Sequence, residues 1–413
     1  MMQTPDAAPE PAVAPLDSAA YVYPWDVLGD PAAPEVLAGL GVGHVTLAAV
    51  YHATRVLTPR HPGHRVVVAD HSAAYFPLDE ARWSGAALRP RRQTWLEQDD
   101  AFGSAAKALA SAGVPAHAWV VFNHVDPGPG ADVGAAVVNA YGDVYPWTLC
   151  PARGEVRDYA VRIAGQVAGR GDVAGAEFEA CGWYGFDHLH AHDKVAGVPL
   201  DQAEQFLFSL CFCVACDGEY REAGVDPAEL RSVVRTALDG VFSGESSGAH
   251  SGVSERSKID ALLGPDLASA VLGMRGAVAD RLRTEVVEAV RDRRSKADFP
   301  VLFHGQPIAH RSTAFTGLDS ATLPGGADGV VVNCWGSAED AAETVRLTVN
   351  ARRAGLRVVS GMLAIGGMGA NAQNAARVLA AVRSAGASGI RIYHAGLAGA
   401  ADLDLIRGLA AAG

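Results

Sequence analysis

The chain has 413 residues, of which 49% are hydrophobic, and its formal net charge is −12. This acidic balance argues against nucleic acid or an anionic membrane as a partner. The length suits one large barrel or two ordinary domains. Residues 1–17 are rich in Ala and Pro and carry no signal-peptide pattern, so we expect a disordered tail before a single domain over residues 18–413. No long apolar run predicts a membrane helix, and we expect a cytoplasmic location.

Eight short β-rich runs alternate with helical patterns along the chain. Their apolar content indicates a parallel sheet that is covered on both faces. After the fourth run, a long helical pattern at about 200–295 indicates an insertion. Eight such strands predict an α/β fold, a closed (β/α)8 TIM barrel with a helical insertion after strand four. The predicted strands are His44–His52, Arg65–Asp70, His117–His124, Ala174–Ala180, Pro300–His304, Gly329–Cys334, Arg357–Ile365 and Gly389–His394.

Polar and aromatic side chains follow most of these predicted strands. Because the C-terminal ends of barrel strands meet at one face, we expect these side chains to surround one pocket. Such groups can hydrogen-bond hydroxyls, and an indole ring offers a flat face on which a sugar ring can stack. The expected substrate-binding residues are His52, Arg55, Asp70, Asn123, Trp183, His188, His190, His304 and Trp335.

Glu177 and Glu179 stand two positions apart at the end of the fourth predicted strand. The strand period of two places both carboxylates on the same side, about 6–7 Å apart, inside the barrel. Neighbouring carboxylates split their pKa values, so one can donate a proton while the other stays ionised. One of them could instead anchor a buried arginine. Asp187, in the following loop, is a third catalytic candidate.

The loop that begins at Asp187 carries histidines at alternate positions, which include His188 and His190. In an extended segment these imidazoles converge, so they could hold a metal ion, bind substrate hydroxyls or act as acid and base. An ion held by Glu179, His188 and His190 would activate water. A solvated loop is the alternative.

Three cysteines lie within six residues, in the pattern C-x-C-x-x-C at Cys211, Cys213 and Cys216. Without a secretory signature, such a cluster indicates a metal site more than a disulfide framework. A tetrahedral zinc site needs a fourth thiolate, for which Cys150 and Cys181 are both candidates. An all-thiolate site would be structural, because no coordination position stays open for chemistry. The alternative is that these cysteines are small buried apolar residues.

These motifs resemble the glycoside-hydrolase-like (β/α)8 barrel proteins that are distantly similar to the family 42 β-galactosidases, a family with a four-cysteine zinc cluster. The resemblance is good over about 115–220 and otherwise rests on strand order. It implies that Cys150, Cys211, Cys213 and Cys216 bind zinc. Two departures concern catalysis: Glu179 is not preceded by the Asn of the family's Asn-Glu pair, and the segment Ser360–Met368 lacks the family's nucleophilic Glu.

Together, these features predict a glycoside hydrolase that acts on a small carbohydrate or glycoconjugate. Glu179 is the expected proton donor, and Glu177 or Asp187 is its partner carboxylate. A metal-dependent hydrolase or lyase that uses Glu179, His188 and His190 is one alternative. A sugar-binding barrel without catalysis is another. A homo-oligomer is compatible with the sequence.

Overall fold

The computed structural model describes residues 15–128, 133–186, 193–244 and 254–413. Its central strands are β1 (Asp17–Val22), β2 (His44–Tyr51), β3 (Ala116–Val121), β4 (Gly175–Glu179), β5 (Val301–Gln306), β6 (Gly329–Asn333), β7 (Arg357–Leu363) and β8 (Gly389–Tyr393). Each strand pairs in parallel with the next, and β8 pairs with β1, so the sheet closes. The predicted (β/α)8 TIM barrel is confirmed.

Helices surround this barrel and build a separate helical layer beside it. They are α1 (Ala33–Ala38), α2 (Glu80–Trp83), α3 (Ala101–Ser111), α4 (Gly154–Ala168), α5 (Gln202–Phe208), α6 (Val214–Glu222), α7 (Pro227–Phe242), α8 (Glu255–Leu263), α9 (Pro265–Arg291), α10 (Ala338–Ala351), α11 (Ala372–Ser384) and α12 (Ala400–Ala412). Within the described ranges, no helix is long and apolar enough to cross a membrane.

Short strands decorate the barrel outside the central sheet. Two antiparallel hairpins are Thr54–Leu57 with Val66–Ala69, and Ala136–Val138 with Val144–Leu149. The remaining short strands are Ala73–Ala74, Arg91–Arg92 and Thr316–Gly317.

The predicted second strand, Arg65–Asp70, is not part of the barrel. Its apolar residues form the outer strand of the hairpin with Thr54–Leu57, and Val66 and Val68 are exposed there. The strand that completes the barrel is β1, which begins at Asp17, the last residue of the predicted tail. All residues of β1 after Asp17 are buried between β2 and β8. The predicted number of eight barrel strands was therefore correct, but one predicted strand was wrong, because β1 takes the place of Arg65–Asp70.

The helical region after β4 has its own hydrophobic core. α5 begins at the capping box of Asp201 and Glu204, in which each side chain accepts a hydrogen bond from the backbone at the other end. Residues of α5 to α8 form this core together with the four clustered cysteines. The N-terminal half of α9 belongs to this second core, but Leu282 and Val290 in its C-terminal half pack in the barrel core. The end of the predicted insertion is therefore the barrel's own helix after β4.

Candidate active site

A cavity of about 240 Å³ opens among residues at the C-terminal ends of the barrel strands. Its walls are largely aromatic, and they include Tyr21, Tyr51, Trp119, Phe315, Trp335 and Tyr393. Ligand pockets are usually about 300–1,000 Å³, so this volume suits a small ligand such as one sugar ring. Trp335 is 36% exposed and packs against Tyr393 with ring centroids 4.8 Å apart, which places an accessible indole at the cavity.

Glu179, the last residue of β4, is the cavity's carboxylate among the described lining residues. Its Oε2 accepts a hydrogen bond of 2.7 Å from Nε1 of Trp119 on β3. The same oxygen lies 3.3 Å from Nδ1 of His304 on β5. Burial opposes the charge, but the contact with His304 outweighs it and lowers the pKa of Glu179 below its ordinary value. Glu179 is therefore a carboxylate at neutral pH, contrary to the raised pKa that a proton donor requires.

Glu177 is fully buried below the cavity and does not line it. It forms an ion pair with Arg391 of β8 and accepts a hydrogen bond of 3.0 Å from the hydroxyl of Tyr21. Burial again opposes its charge, but Arg391 and then His304 hold the pKa of Glu177 well below its ordinary value. The expected pKa split between the two glutamates is therefore wrong. Glu177 instead anchors a buried arginine, the alternative that the sequence left open.

His304 lies between the two carboxylates. Its Nε2 is 3.4 Å from Glu177 Oε2 and 3.1 Å from the Tyr21 hydroxyl, while its Nδ1 faces Glu179. Burial disfavours the charged ring, but the two glutamates outweigh this cost and raise the pKa of His304 to about 9. The imidazole is therefore a cation at neutral pH, and it joins Glu177 and Glu179 in one charged row across β4 and β5.

The backbone directly after Glu179 is strained. Ala180 has φ +51°, in the left-handed region that a residue with a Cβ seldom adopts. Such a conformation costs about 1–3 kcal/mol and is common at functional sites. Hydrogen bonds hold it, because the Ala180 N–H donates to the Ala314 carbonyl and the Ala180 carbonyl accepts from the Asn123 N–H. The Asn123 side chain donates to the Gly182 carbonyl at 2.7 Å, so it fixes this turn from outside the cavity.

The predicted substrate-binding residues divide into two groups. His52, His304 and Trp335 line the cavity, whereas Asn123 lies behind the wall. Arg55 and Asp70 are exposed at the outer hairpin, because the strand that precedes Asp70 is not a barrel strand. They do not reach the cavity.

Trp183 is buried in the helical core and offers no face for stacking a ligand. Its Nε1 donates to the Arg275 carbonyl at 2.8 Å, and the Arg275 guanidinium lies 4.3 Å above its ring. Asp187, His188 and His190 fall outside the described residues, so their predicted roles stay predictions.

Sequence reasoning missed Tyr21 and Trp119, the groups that contact the two glutamates. Tyr21 lies on β1, which the sequence did not predict, and Trp119 lies in mid-strand on β3, away from the polar strand ends that indicated a site. The strand alternation was the available signal. Trp119 is the register partner of Glu177, so both residues point to the same side of the sheet.

The four cysteines expected to bind zinc are brought together by loops after β3 and β4. The Sγ atoms of Cys150, Cys211, Cys213 and Cys216 all lie within 4.8 Å of one another. Cys150 Sγ is 3.4 Å from Cys216 Sγ and 3.7 Å from Cys213 Sγ. Sulfurs bound to one tetrahedral zinc at about 2.3 Å would lie about 3.8 Å apart, so the thiols fit this ion. Cys181, the other candidate for the fourth ligand, belongs to the barrel core.

The chain is a (β/α)8 TIM barrel, and solved structures of similar fold are glycoside hydrolases. The chain resembles the PgaB (BpsB) glycoside hydrolase domain of Bordetella bronchiseptica, with a TM-score of 0.56 and 16% identity over 96% of this chain and 99% of that one. It also resembles the β-amylase catalytic domain of Paenibacillus polymyxa, with a TM-score of 0.53 and 10% identity over 96% and 98% of the two chains.

A third similar structure is the β-galactosidase of the psychrophilic Marinomonas ef1. Its TM-score is 0.51 and its identity 12%, over 96% of this chain and 59% of that one. At these identities the likeness shows the fold alone. No protein-family model matches the chain, and no curated protein matches it. The resemblance to family 42 therefore extends to the barrel fold that glycoside hydrolases share, and membership of family 42 is not confirmed.

Proposed function

We propose that the protein is a glycoside hydrolase that acts on a small carbohydrate or glycoconjugate, with Glu179 as the carboxylate at the anomeric carbon. The observation that carries this proposal is an ionised, nearly buried carboxylate at the end of β4, inside a cavity with aromatic walls. Glycoside cleavage develops positive charge on the sugar ring, and a fixed carboxylate stabilises that charge or attacks the anomeric carbon.

The electrostatics change the role that the sequence suggested for Glu179. A proton donor at neutral pH needs a raised pKa, whereas His304 lowers the pKa of Glu179. Glu179 therefore serves as the nucleophile or the charge stabiliser. We assign the role of proton donor to Asp187, the third of the carboxylates that the sequence suggested for catalysis, because Glu177 forms an ion pair with Arg391.

Two neighbouring groups position Glu179, a third holds Glu177 behind it, and none of the three needs to touch the substrate. Trp119 donates to its Oε2, His304 supplies the positive charge beside it, and Tyr21 donates to Glu177 behind it. A carboxylate held by partners on two adjacent strands keeps one orientation during the reaction, which is the kind of preorganisation on which electrostatic catalysis depends.

The aromatic surroundings support a sugar as the ligand. Trp335 and Tyr393 offer adjoining ring faces, and His52 and Thr54 add polar groups to the same cavity. Aromatic faces bind the C–H surfaces of a sugar while polar groups bind its hydroxyls. The small volume favours recognition of one terminal ring over an internal segment of a long chain.

Zinc is the proposed structural cofactor. Cys150 lies in the connection after β3, Cys211 and Cys213 lie between α5 and α6, and Cys216 lies in the first turn of α6, so one ion would join two long connections at the cavity face of the barrel. The backbone N–H of Val138 donates to Cys211 Sγ at 3.5 Å, a contact that suits a thiolate ligand. The ion would contribute stability and no chemistry.

The test is a series of aryl glycosides with leaving groups of graded acidity, assayed with wild type, Glu179→Gln and the surface control Glu343→Gln. A nucleophile or charge stabiliser matters for every leaving group, so Glu179→Gln should lose activity to a similar extent across the series. Glu343 is half-exposed on α10, and its variant should match wild type. If activated substrates alone keep near wild-type rates with Glu179→Gln, then Glu179 is the proton donor and the proposed role is wrong.

A sugar-binding barrel without catalysis is the second candidate. The observation in its favour is that no carboxylate occurs in the segment Ser360–Met368, which covers the end of β7 and the residues directly after it. Ligand binding without turnover, unchanged in Glu179→Gln, would establish this function over hydrolysis. The metal-dependent alternative depends on His188 and His190, outside the described residues, and stays a prediction, as do the cytoplasmic location and a homo-oligomer.

A further inference from the structure

Two histidines and one aspartate meet beside the cavity, and one of them, His52, lines it. His52 directly follows β2, while His124 and Asp126 follow β3. One potential ligand atom from each side chain lies within 4.8 Å of those of the other two. We propose that this cluster, which we call the rim triad, is a second metal site that binds a divalent first-row transition ion and is separate from the four cysteines.

The donor set determines which ions fit. Two imidazoles and one carboxylate suit Zn²⁺, Fe²⁺, Co²⁺ or Ni²⁺, and they leave coordination positions open. Four thiolates, by contrast, select soft ions and close the coordination shell. The two sites therefore differ in chemistry as well as in position: the rim triad can exchange ligands with a bound molecule, and the cysteine cluster cannot.

The residues of the rim triad are held by a second layer of contacts. His52 Nδ1 donates to the Ala53 carbonyl at 2.8 Å, which leaves the lone pair of the ring on Nε2. The Ala53 N–H in turn donates to Asp126 Oδ2 at 3.0 Å. One backbone residue thus orients two of the three side chains, as outer partners do in protein metal sites.

The third side chain, His124, is fixed by stacking. Its ring lies 4.1 Å from the His52 ring and 4.4 Å from the Tyr184 ring, measured between centroids. The backbone of Asp126 is tied down as well, because its N–H donates to Ser72 Oγ at 2.6 Å and its carbonyl accepts from the Ser72 N–H at 2.8 Å. An ion would therefore meet ligands that have already lost most of their freedom.

Another histidine pair with a carboxylate shows what a poor cation site looks like. His44, His117 and Glu177 also meet in the barrel interior, but Arg391 forms an ion pair with Glu177 there. The guanidinium already neutralises that carboxylate and would repel a metal ion. The rim triad is thus the better cation site of the two.

Position connects the rim triad to the cavity. His52 lines the cavity together with Glu179. An ion at the rim triad would present its open positions beside the cavity, where they can accept two oxygens of a bound diol or carboxylate. The site would then contribute to ligand recognition at the edge of the pocket.

Metal binding tests this proposal without any glycoside, so a negative result would leave the proposed hydrolase function untouched. The protein with its cysteine site zinc-loaded is titrated with Co²⁺, followed by calorimetry, metal quantification and absorption spectroscopy. One additional equivalent should bind with only weak d–d absorption. Strong sulfur-to-metal charge-transfer absorption would place Co²⁺ on the cysteines and overturn the proposal.

Variants locate the added ion. Asp126→Asn keeps the size of the side chain and an oxygen for the Ala53 N–H. Loss of a second-layer partner weakens metal binding about 10–100-fold, so loss of a direct ligand should weaken it by about 100-fold or more. His124→Phe keeps the stacking ring and should have the same effect. His64→Phe is the matched control, because His64 stacks on His61 at 3.6 Å but belongs to no candidate metal group among the described residues.

The outcomes decide between a built site and stray binding. Tight binding that is lost in Asp126→Asn and His124→Phe, and kept in His64→Phe, supports the rim triad. If a variant misfolds by circular dichroism, the other ligand variant decides. No added equivalent in wild type, or unchanged affinity in the folded ligand variants, overturns the proposal.

Discussion

Replacing His304 with glutamine tests the charged row directly, because the change removes a cation from between two buried carboxylates. Folding raises the pKa of this ring from the ordinary 6.5 to about 9. A difference of about 2.5 between the two pKa values corresponds to about 3–4 kcal/mol, since each pH unit is worth about 1.4 kcal/mol. Water screens this interaction very little, because the His304 side chain is only 2% exposed.

The sign follows from which state holds the proton. Between pH 6.5 and about 9 the folded protein keeps the proton on His304 and the unfolded chain does not, so stability falls as pH rises. Below pH 6.5 both states hold it, and the full stabilisation is present. The free energy of unfolding of wild type, minus that of His304→Gln, should therefore shrink by about 3 kcal/mol from pH 6.5 to pH 9.

The assay is urea unfolding of both proteins at several pH values, with His117→Gln as the matched control. Burial lowers the pKa of His117 to about 4, so this residue is neutral in both states across pH 7–9 and should add no slope there. Nuclear magnetic resonance of the imidazole should show His304 titrating near pH 9. A ring that titrates at pH 6.5 or below, or a stability difference that does not change with pH, would refute the charged row.

Three further predictions concern other parts of the structure. Cys213→Ser should lose bound zinc, measured by mass spectrometry after gel filtration, and should unfold at lower urea; full zinc retention would contradict the four-cysteine site. Arg391→Met leaves the buried Glu177 without its guanidinium partner and should cost about 3–5 kcal/mol in urea unfolding, whereas the exposed control Arg407→Met should cost less than about 1 kcal/mol. Trp335→Ala should weaken binding of a glycoside in calorimetry while the unfolding temperature stays the same, because this ring is partly exposed; unchanged affinity would remove Trp335 from the site.

The barrel could be predicted because seven of its strands are apolar runs bounded by helical patterns. The error at Val66–Ala69 has a physical cause: a two-stranded hairpin and a buried strand can share the same run of valines, and only burial separates them. β1 was hidden by its composition. It follows a Pro- and Ala-rich stretch, and its small residues carry little strand signal although β2 and β8 bury them.

The site was only partly predictable, because its electrostatics depend on strands distant in sequence. Glu179 and the cysteine spacing were visible as local patterns. The cation at His304 comes from β5, which pairs with β4, and the partner at Arg391 comes from β8, which the closure of the barrel brings to Glu177. A local pattern of two glutamates predicts mutual repulsion. In the folded protein the His304 imidazolium and the Arg391 guanidinium lie beside these carboxylates, so the pKa values of both glutamates are lowered and not raised.

Helix α9 makes the helical layer and the barrel a single mechanical unit. Its 27 residues form a rod of about 40 Å, with one half packed in each hydrophobic core. If α9 leaves one of the two hydrophobic cores, its other half is pulled from the second core, and apolar surface is exposed in both. Thermal unfolding should therefore be one cooperative transition. A substitution that destabilises the cysteine cluster should also destabilise the barrel at β4, which carries Glu179.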